Sequence, residues 1–173
     1  DMKDVVCKIF HIDESWSDQQ KEQYIRLVMK ECQIHRQLSH PRIVSMFDSF
    51  ILDANTFVAV LEYFPGVSLE QLIQQHVAHY QHIHHTTNLE PSSNNNMNSS
   101  VGSSSSSSML LHCIPEPEAK NIISQLFSAM RYLNQFSDKL RIVHFDITPS
   151  NIIINKGEVK IIDFGGARVI SND

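Results

Sequence analysis

Two short β-branched runs separated by a turn constrain the fold of this chain of 173 residues more than any other feature. The runs cover residues 152–154 and 159–162, and the tetrapeptide Asn155-Lys156-Gly157-Glu158 lies between them. β-Branched residues favour strands, and a glycine supplies the positive φ that tight turns require. The pattern therefore predicts a β-hairpin.

Polar side chains flank this predicted hairpin on both sides. His144, Asp146 and Asn151 precede it with the spacing H-x-D-x-x-x-x-N, and Asp163 follows it in the tripeptide D-F-G. Phosphoryl transfer needs one carboxylate facing the attacking hydroxyl, and a second carboxylate with another oxygen ligand to hold Mg²⁺. Each residue alone is also compatible with an ordinary turn or strand end. The ordered set around one hairpin favours the catalytic interpretation.

Charge and cysteine content narrow the function classes. The chain has 14 Lys and Arg against 19 Asp and Glu, a formal net charge of -5, so a nucleic-acid partner is not expected. No apolar run is long enough to cross a bilayer, and the charged start D-M-K-D does not resemble a signal peptide. The 3 cysteines form no C-x-x-C pair, which argues against structural zinc. We expect an intracellular, soluble protein without a membrane partner.

A charged residue within each of the first two predicted elements stands out. Residues 4–11 read D-V-V-C-K-I-F-H, a strand pattern interrupted by Lys8. Residues from Asp18 onward have apolar positions at helical spacing, and Glu31 lies on that apolar face. Lys8 alone would also be compatible with an edge strand. Glu31 alone would also be compatible with the boundary between the buried and exposed faces of the helix. An inward carboxylate usually requires a cation, so we predict a Lys8–Glu31 pair. The predicted inward face of the helix comprises Tyr24, Leu27, Val28, Glu31, Ile34, His35 and Leu38.

The next segment predicts two strands, a break and a short helix. Residues 43–50 and 56–63 are the strands, joined by a turn over 52–55. Pro65-Gly66 ends the second strand, and Ser68 with Gln71 forms a capping box for a helix that is expected to end near His76.

Residues 77–112 are predicted to be a disordered insertion, because histidines, asparagines and a serine run dominate their composition. The histidines also permit a metal site, although low-complexity histidine is more often solvated. A core helix is expected after Pro115. Its apolar stripe comprises Ile122, Leu126, Met130 and Leu133, widened by Ile123 and Phe127.

With these motifs identified, the chain resembles a eukaryotic protein kinase catalytic domain, and within that group the tousled-like serine/threonine kinases. The narrower resemblance rests on six segments, which read V-V-C-K, K-E-C-Q-I-H, S-H-P-R-I-V, D-A-N-T-F, V-L-E-Y and A-M-R-Y-L-N. It implies an α+β, bilobal kinase fold that is incomplete, running from the third strand of the small lobe to the D-F-G of the large lobe. The expected divisions are a small-lobe part at 1–64, the hinge and first large-lobe helix at 65–76, the insertion at 77–112, and a large-lobe part at 113–173.

The resemblance also implies roles for individual residues. Lys8 would pair with Glu31 and the nucleotide phosphates, Asp146 would be the catalytic base, and Asn151 and Asp163 would hold Mg²⁺. The nucleotide-binding residues implied for ATP are Val6, Lys8, Leu61 as gatekeeper, Glu62, Phe64, Ser68 and Asp163. A stack linking the lobes would comprise Met46, His35, Phe164 and His144. Pro149-Ser150 resembles serine/threonine rather than tyrosine kinases.

Several features depart from the family pattern. The glycine-rich loop that should precede Lys8 and the segments that should follow D-F-G lie outside the chain. Thr148 stands where serine/threonine kinases have a lysine, and Phe145 replaces the arginine of H-R-D. The alternative is therefore a pseudokinase-like or truncated interaction module without turnover. The resemblance implies protein substrates, namely histone chaperones, a nuclear location, and oligomerisation through regions outside this chain.

Overall fold

The computed structural model describes residues 4–87 and 114–171. It forms three helices, eight strands and one 3-10 turn within these residues. The helices are α1 (Asp18–His35), α2 (Leu69–Thr87) and α3 (Glu116–Asn134), and the 3-10 turn is Pro149–Asn151. The strands are β1 (Val5–His11), β2 (Met46–Asp53), β3 (Thr56–Glu62), β4 (Val67–Ser68), β5 (Leu140–Val143), β6 (Ile152–Asn155), β7 (Glu158–Ile161) and β8 (Arg168–Ser171). Among the described residues, no helix has the length and apolarity that a membrane span requires.

The first part of the chain is an antiparallel sheet with strand order β1-β3-β2, against which α1 packs. Helix α1 begins with a reciprocal capping box in which Ser17 and Gln20 satisfy each other's backbone N–H groups. A small core of Phe10, Val28, Cys32 and Ala59 joins the helix to the sheet. The strand predicted at 43–50 is displaced, because residues 43–45 diverge from the sheet toward β7 and β2 starts at Met46.

The second part is organised around the predicted hairpin. Strands β6 and β7 pair antiparallel with Asn155 opposite Glu158, and β4 pairs with the other edge of β6. Lys156 and Gly157 have φ of 47° and 82°, the positive values that a two-residue hairpin turn requires. The predicted hairpin is therefore confirmed.

A larger core joins the two parts. It contains residues of α1 and of the segment after it, residues of α3, one residue each of β5 and β7, and Phe164 and Ala167 near the end of the described chain. Its buried members are Ile34, Leu38, Ile43, Ala129, Leu133, Ile142, Ile161, Phe164 and Ala167. Backbone bonds from Val44 N–H to the Ile161 carbonyl, 3.0 Å, and from Ile161 N–H to the Arg42 carbonyl, 2.9 Å, fix the same junction. The D-F-G segment is thus anchored to both lobes.

Two predictions about helix α2 and its neighbour need correction. The helix expected to end near His76 continues to Thr87, because the sequence from 69 to 87 contains no proline or glycine to terminate it. Residues 77–87 therefore belong to a helix rather than to the predicted insertion. The rest of that predicted segment, up to residue 112, lies outside the described residues.

The predicted apolar faces were also too wide. On α1, Leu27 is 49% exposed, since the sheet contacts the face that bears Val28 and Cys32. On α3, Ile122 and Leu133 are buried against the hairpin and β5, whereas Ile123, Phe127 and Met130 lie on the edge of the helix away from this contact and are exposed.

Candidate active site

The predicted ion pair between the first strand and the first helix is present. Lys8 Nζ lies 2.6 Å from Glu31 Oε1, although 23 positions separate the residues. Lys8 projects from the same side of β1 as buried Phe10, and Glu31 precedes buried Cys32 on α1. Burial raises the pKa of Glu31 above its usual value, and the Lys8 ammonium offsets part of that rise. Lys8 therefore favours the ionised form of Glu31 against the effect of burial.

The same ammonium also binds the aspartate of D-F-G. Lys8 Nζ donates to Asp163 Oδ1 over 2.8 Å, and the backbone N–H of Gly165 donates to that oxygen over 3.1 Å. Burial opposes ionisation of Asp163, but these bonds outweigh it and hold the pKa of the carboxyl below its usual value. Burial likewise opposes the charge on Lys8, and its hydrogen bonds to Asp163 and Glu31 raise its pKa overall. The three residues form one charged cluster.

Asp146 and Asn151 form a second polar pair. Asn151 Nδ2 donates to Asp146 Oδ2 over 2.9 Å and to the Asp146 carbonyl over 3.1 Å. The 3-10 turn that starts at Pro149 brings the two side chains together across five positions. Asp146 N–H donates to His144 Nδ1 over 3.2 Å, which anchors the loop to a buried ring. The loop holds the Asp146 carboxylate exposed and oriented.

A stack of buried rings supports both pairs. Phe164 is fully buried, and its ring centroid lies 4.7 Å from that of His35 and 4.7 Å from that of His144. His35 Nε2 bonds the Val44 carbonyl over 2.7 Å, so this nitrogen carries the proton. Met46, predicted as the fourth member of the stack, packs against the core between α1 and the sheet. The contact of the three rings couples α1, the catalytic loop and D-F-G.

A cleft of about 1030 Å³, its open mouth included, lies between the sheet and the hairpin. Of the residues predicted to bind nucleotide, Val6, Lys8, Leu61, Glu62, Phe64 and Asp163 line it, together with Glu31. Ser68 is not among its lining residues and instead caps α2, accepting from Gln71 N–H over 3.1 Å.

Sequence reasoning did not identify Ala59, Ile153 and Ile162 as residues of this cleft. Ala59 has a recognisable signal, because it lies two positions before Leu61 on β3 and so on the same face. Ile153 lies in a run that is apolar at every position, and Ile162 directly follows Ile161, so the apolar pattern does not show which face either side chain occupies.

The protein kinase domain family matches residues 1–173 of this chain. The chain belongs to the protein kinase family. Among its relatives, the serine/threonine-protein kinase tousled-like 1 of Mus musculus is 33% identical over 170 residues, covering 96% of this chain and 17% of the relative. The tousled-like 2 kinase of Xenopus tropicalis is 32% identical over 173 residues, covering 98% and 20%. The kinase TOUSLED of Arabidopsis thaliana is 31% identical over 174 residues, covering 100% and 20%. The chain thus spans about a fifth of the length of these relatives.

Two positions of the kinase catalytic loop have unusual surroundings. Thr148 Oγ1 lies 2.9 Å from Ser150 Oγ, so a neutral hydroxyl pair stands where the kinase pattern places a cation. Phe145 has φ of 63° and is 66% exposed, which leaves an apolar ring at the surface in place of the arginine. The loop backbone nevertheless keeps Asp146 and Asn151 together.

The oxygen atoms at this site suit the divalent ion that protein kinases as a family use with ATP. Asn151 donates through Nδ2, so its Oδ1 is available to a cation. The hydrogen bonds of Asp163 to described residues go to Oδ1, which leaves Oδ2 available. No group of three or more His, Cys, Asp or Glu side chains in the described part of the chain could hold a metal ion. Mg²⁺ commonly takes one or two protein carboxylates and fills its other positions with phosphate and water, so the residues fit.

Proposed function

We propose that the protein containing this chain is a serine/threonine kinase that transfers the γ-phosphate of ATP to a protein hydroxyl. The observation that carries the proposal is the convergence of Lys8, Glu31 and Asp163 in the lining of the cleft between the sheet and the hairpin. A second pair, Asp146 and Asn151, lies in the loop that begins at His144, whose ring packs on Phe164. A structural ion pair alone would not require this second pair.

Each residue has a role that its contacts support. The Lys8 ammonium would bind the nucleotide phosphates while Glu31 holds its orientation. Asp146 would accept the proton of the attacking hydroxyl, with Asn151 fixing the rotamer of its carboxylate. Asn151 and Asp163 would hold Mg²⁺, which when bound neutralises charge on the phosphate oxygens. Val6, Leu61 and the backbone of the segment from Glu62 to Phe64 would enclose adenine.

The choice of serine/threonine over tyrosine substrates rests on the relatives and on Pro149-Ser150 in the loop. The narrower proposal is that the substrates are histone chaperones and that the protein acts in the nucleus, joining other subunits through regions outside this chain. Its support is the resemblance to the tousled-like group. Phosphorylation of purified histone chaperones and imaging of the tagged protein in cells test these two parts separately.

Phosphorylation assays on the protein expressed from its complete reading frame test the catalytic proposal. Asp146→Asn should lower kcat by about 10²- to 10⁴-fold, because the loop loses its base. Asp53→Asn, at the exposed turn between β2 and β3, is the matched control and should retain wild-type turnover. Equal activities of wild type and Asp146→Asn would show that the assignment of the base is wrong.

No observation of the described residues favours the alternative of a non-catalytic interaction module. The residues proposed as base, phosphate-binding lysine, glutamate partner and metal ligands make contacts that support these roles. A module without turnover has no need of this arrangement.

A further inference from the structure

Lys160, on β7, contacts the connection between the lobes. Its Nζ lies 2.5 Å from Glu62 Oε1 and 5.5 Å from the centroid of the Phe64 ring. Glu62 and Phe64 are the residues whose backbone is proposed to contact adenine. The other carboxylate oxygen of Glu62 accepts from Ser45 N–H over 3.0 Å. One cation from the large lobe therefore holds two residues of the adenine-binding segment.

The strand alternation explains why Lys160 points at this segment. Val159 and Ile161, its neighbours on β7, are both fully buried against the core below the hairpin. Lys160 consequently projects from the opposite face, opposite Ile153 of β6, which itself lines the nucleotide cleft. The ammonium thus approaches the segment from beneath the cleft.

The contact joins three backbone segments at one carboxylate. Glu62 N–H donates to the Ser45 carbonyl over 2.9 Å, and Val44 N–H donates to the Ile161 carbonyl over 3.0 Å. Lys160 adds the direct link between Glu62 and β7. Asp163 lies three positions beyond Lys160. The adenine-binding segment and the D-F-G aspartate are therefore fixed relative to each other through a short, rigid path.

Burial makes this ion pair different from the pair that Arg42 forms with Glu158 of the same strand. The side chains of Lys160 and Glu62 are 15% and 25% exposed, so little water separates or screens them. Burial raises the pKa of Glu62, yet the bonds from Lys160 and Ser45 outweigh it and keep the pKa below its usual value. Arg42 and Glu158 are 3.4 Å apart and are 25% and 63% exposed, so in this pair the carboxylate is solvated. Exposed pairs of this kind contribute little, whereas removing one partner of a buried pair leaves an uncompensated charge.

We propose that Lys160 is a positioning residue for nucleotide binding, which preorganises the Glu62–Phe64 segment to receive adenine. The inference rests on the proposed kinase function. Preorganisation stabilises the bound state because the segment loses less freedom on binding. The reacting groups Asp146 and Lys8 do not contact Lys160, so the bound nucleotide should still react at its normal rate. Loss of Lys160 should therefore weaken ATP binding and leave turnover at saturating ATP intact.

Three variants of the protein expressed from its complete reading frame test this. Lys160→Met removes the cation and keeps an unbranched side chain, and Lys160→Arg retains a cation for Glu62 and Phe64. Arg42→Met is the matched control, because it removes a cation that pairs with Glu158, an exposed residue of the same strand. The measurements are the Kd of Mg·ATP by titration calorimetry, and KM for ATP and kcat from phosphorylation assays.

We expect Lys160→Met to raise Kd and KM on the order of tenfold with kcat within about threefold of wild type. Lys160→Arg should restore most of the affinity, and Arg42→Met should behave as wild type. A fall in kcat at unchanged KM would mean that Lys160 only maintains the fraction of folded protein, which overturns the inference. If Lys160→Met does not fold, Lys160→Gln, which also removes the cation and keeps an unbranched side chain, takes its place under the same criteria.

Two further outcomes separate the inference from the proposed function. Wild-type protein that does not bind Mg·ATP would overturn the kinase proposal and the inference with it. Wild-type binding with an unchanged Kd in Lys160→Met would overturn the inference alone. Equal losses in Lys160→Met and Arg42→Met would show a general effect of removing a cation near β7, which also overturns the inference.

Discussion

Lys8 donates a hydrogen bond of 2.8 Å to Asp163, although 155 positions of sequence separate the two residues. The same ammonium lies 2.6 Å from Glu31. Lys8 therefore ties β1 to α1 and to the D-F-G segment at one point. A change in any of the three elements alters the position of the cation that is proposed to hold phosphate.

Glu31→Gln tests how far this cluster depends on the charge of the glutamate. The amide keeps the size of the side chain but no longer balances the Lys8 ammonium, which should shift toward Asp163. We expect kcat/KM for ATP to fall by about 10- to 100-fold, as for other residues that orient a ligand-binding group. Glu22→Gln on the same helix is the control, because its exposed pair with Arg26 lies away from the cleft. Similar kinetics for the two variants would contradict this role for Glu31.

Thr148→Lys tests the missing cation of the catalytic loop. Thr148 bonds Ser150 across 2.9 Å and presents only a hydroxyl near Asp146. A lysine there would add positive charge where charge develops on the transferred phosphoryl group, so kcat should rise by about tenfold or more. Thr148→Ser keeps the hydroxyl and should change kcat by less than about threefold. An unchanged kcat in Thr148→Lys would show that the loop already compensates for the substitution.

Two glycines with positive φ test the backbone of the hairpin region. A Cβ on Gly66 would lie 2.3 Å from the Ile154 carbonyl oxygen, and its φ is 158°. Gly157 has φ of 82°, but a Cβ added there would lie 3.5 Å from its nearest atom, Asn121 Nδ2, which is an ordinary contact distance. Gly157→Ala should therefore cost only the conformational penalty of about 1–2 kcal/mol. Gly66→Ala should cost about 3 kcal/mol or more, because β4 must also separate from β6.

Denaturant unfolding of both glycine variants in the same buffer checks this order. Nearly equal losses of unfolding free energy would mean that the Gly66 contact relaxes easily. The comparison is informative because both positions adjoin strands that pair with β6, whereas only the added Cβ at Gly66 meets the backbone of that strand.

Some of these features follow directly from the sequence. The hairpin was predictable because β-branched runs and a glycine turn are local signals. The Lys8–Glu31 pair was predictable because each charge interrupts an apolar pattern of known period. The contact of Lys8 with Asp163 was not predictable from local patterns, because it forms only when the part of the chain that contains β1 docks on the part that contains the hairpin. Lys160 is likewise an ordinary strand lysine until the position of Glu62 is known.

The errors have related causes. The exposure of Leu27 depends on which edge of α1 the sheet contacts, and periodicity defines that edge only to within one position. The composition of the segment after His76 predicted disorder. Helix α2 nevertheless continues to Thr87, because no proline or glycine interrupts it. Ser68, which the resemblance assigns to nucleotide binding, forms the capping box that the sequence predicted with Gln71 and is not among the residues that line the cleft.

Buried His35 predicts how stability responds to acid. Burial holds the pKa of His35 below its usual value of 6.5, although the hydrogen bond to the Val44 carbonyl favours the protonated ring. The unfolded chain then binds a proton near pH 6.5 that the folded protein resists, so unfolding free energy falls as pH drops below about 6.5. The loss reaches at most about 1.4 kcal/mol per pH unit for this histidine, and ends below its folded pKa.

His35→Met isolates this contribution. At pH 7.5 the variant should be less stable by about 1–2 kcal/mol, because it loses the bond to Val44 and leaves that carbonyl unpaired. Between pH 6.5 and pH 5 the wild type should lose stability faster than the variant, so the gap between them should narrow. His144, whose pKa burial also lowers, and the carboxylates of the charged cluster remain in both proteins, so their titration largely cancels in the difference. Urea denaturation at half-unit steps of pH measures the gap, and a gap that stays constant across this range would show that His35 titrates alike in the folded and unfolded states.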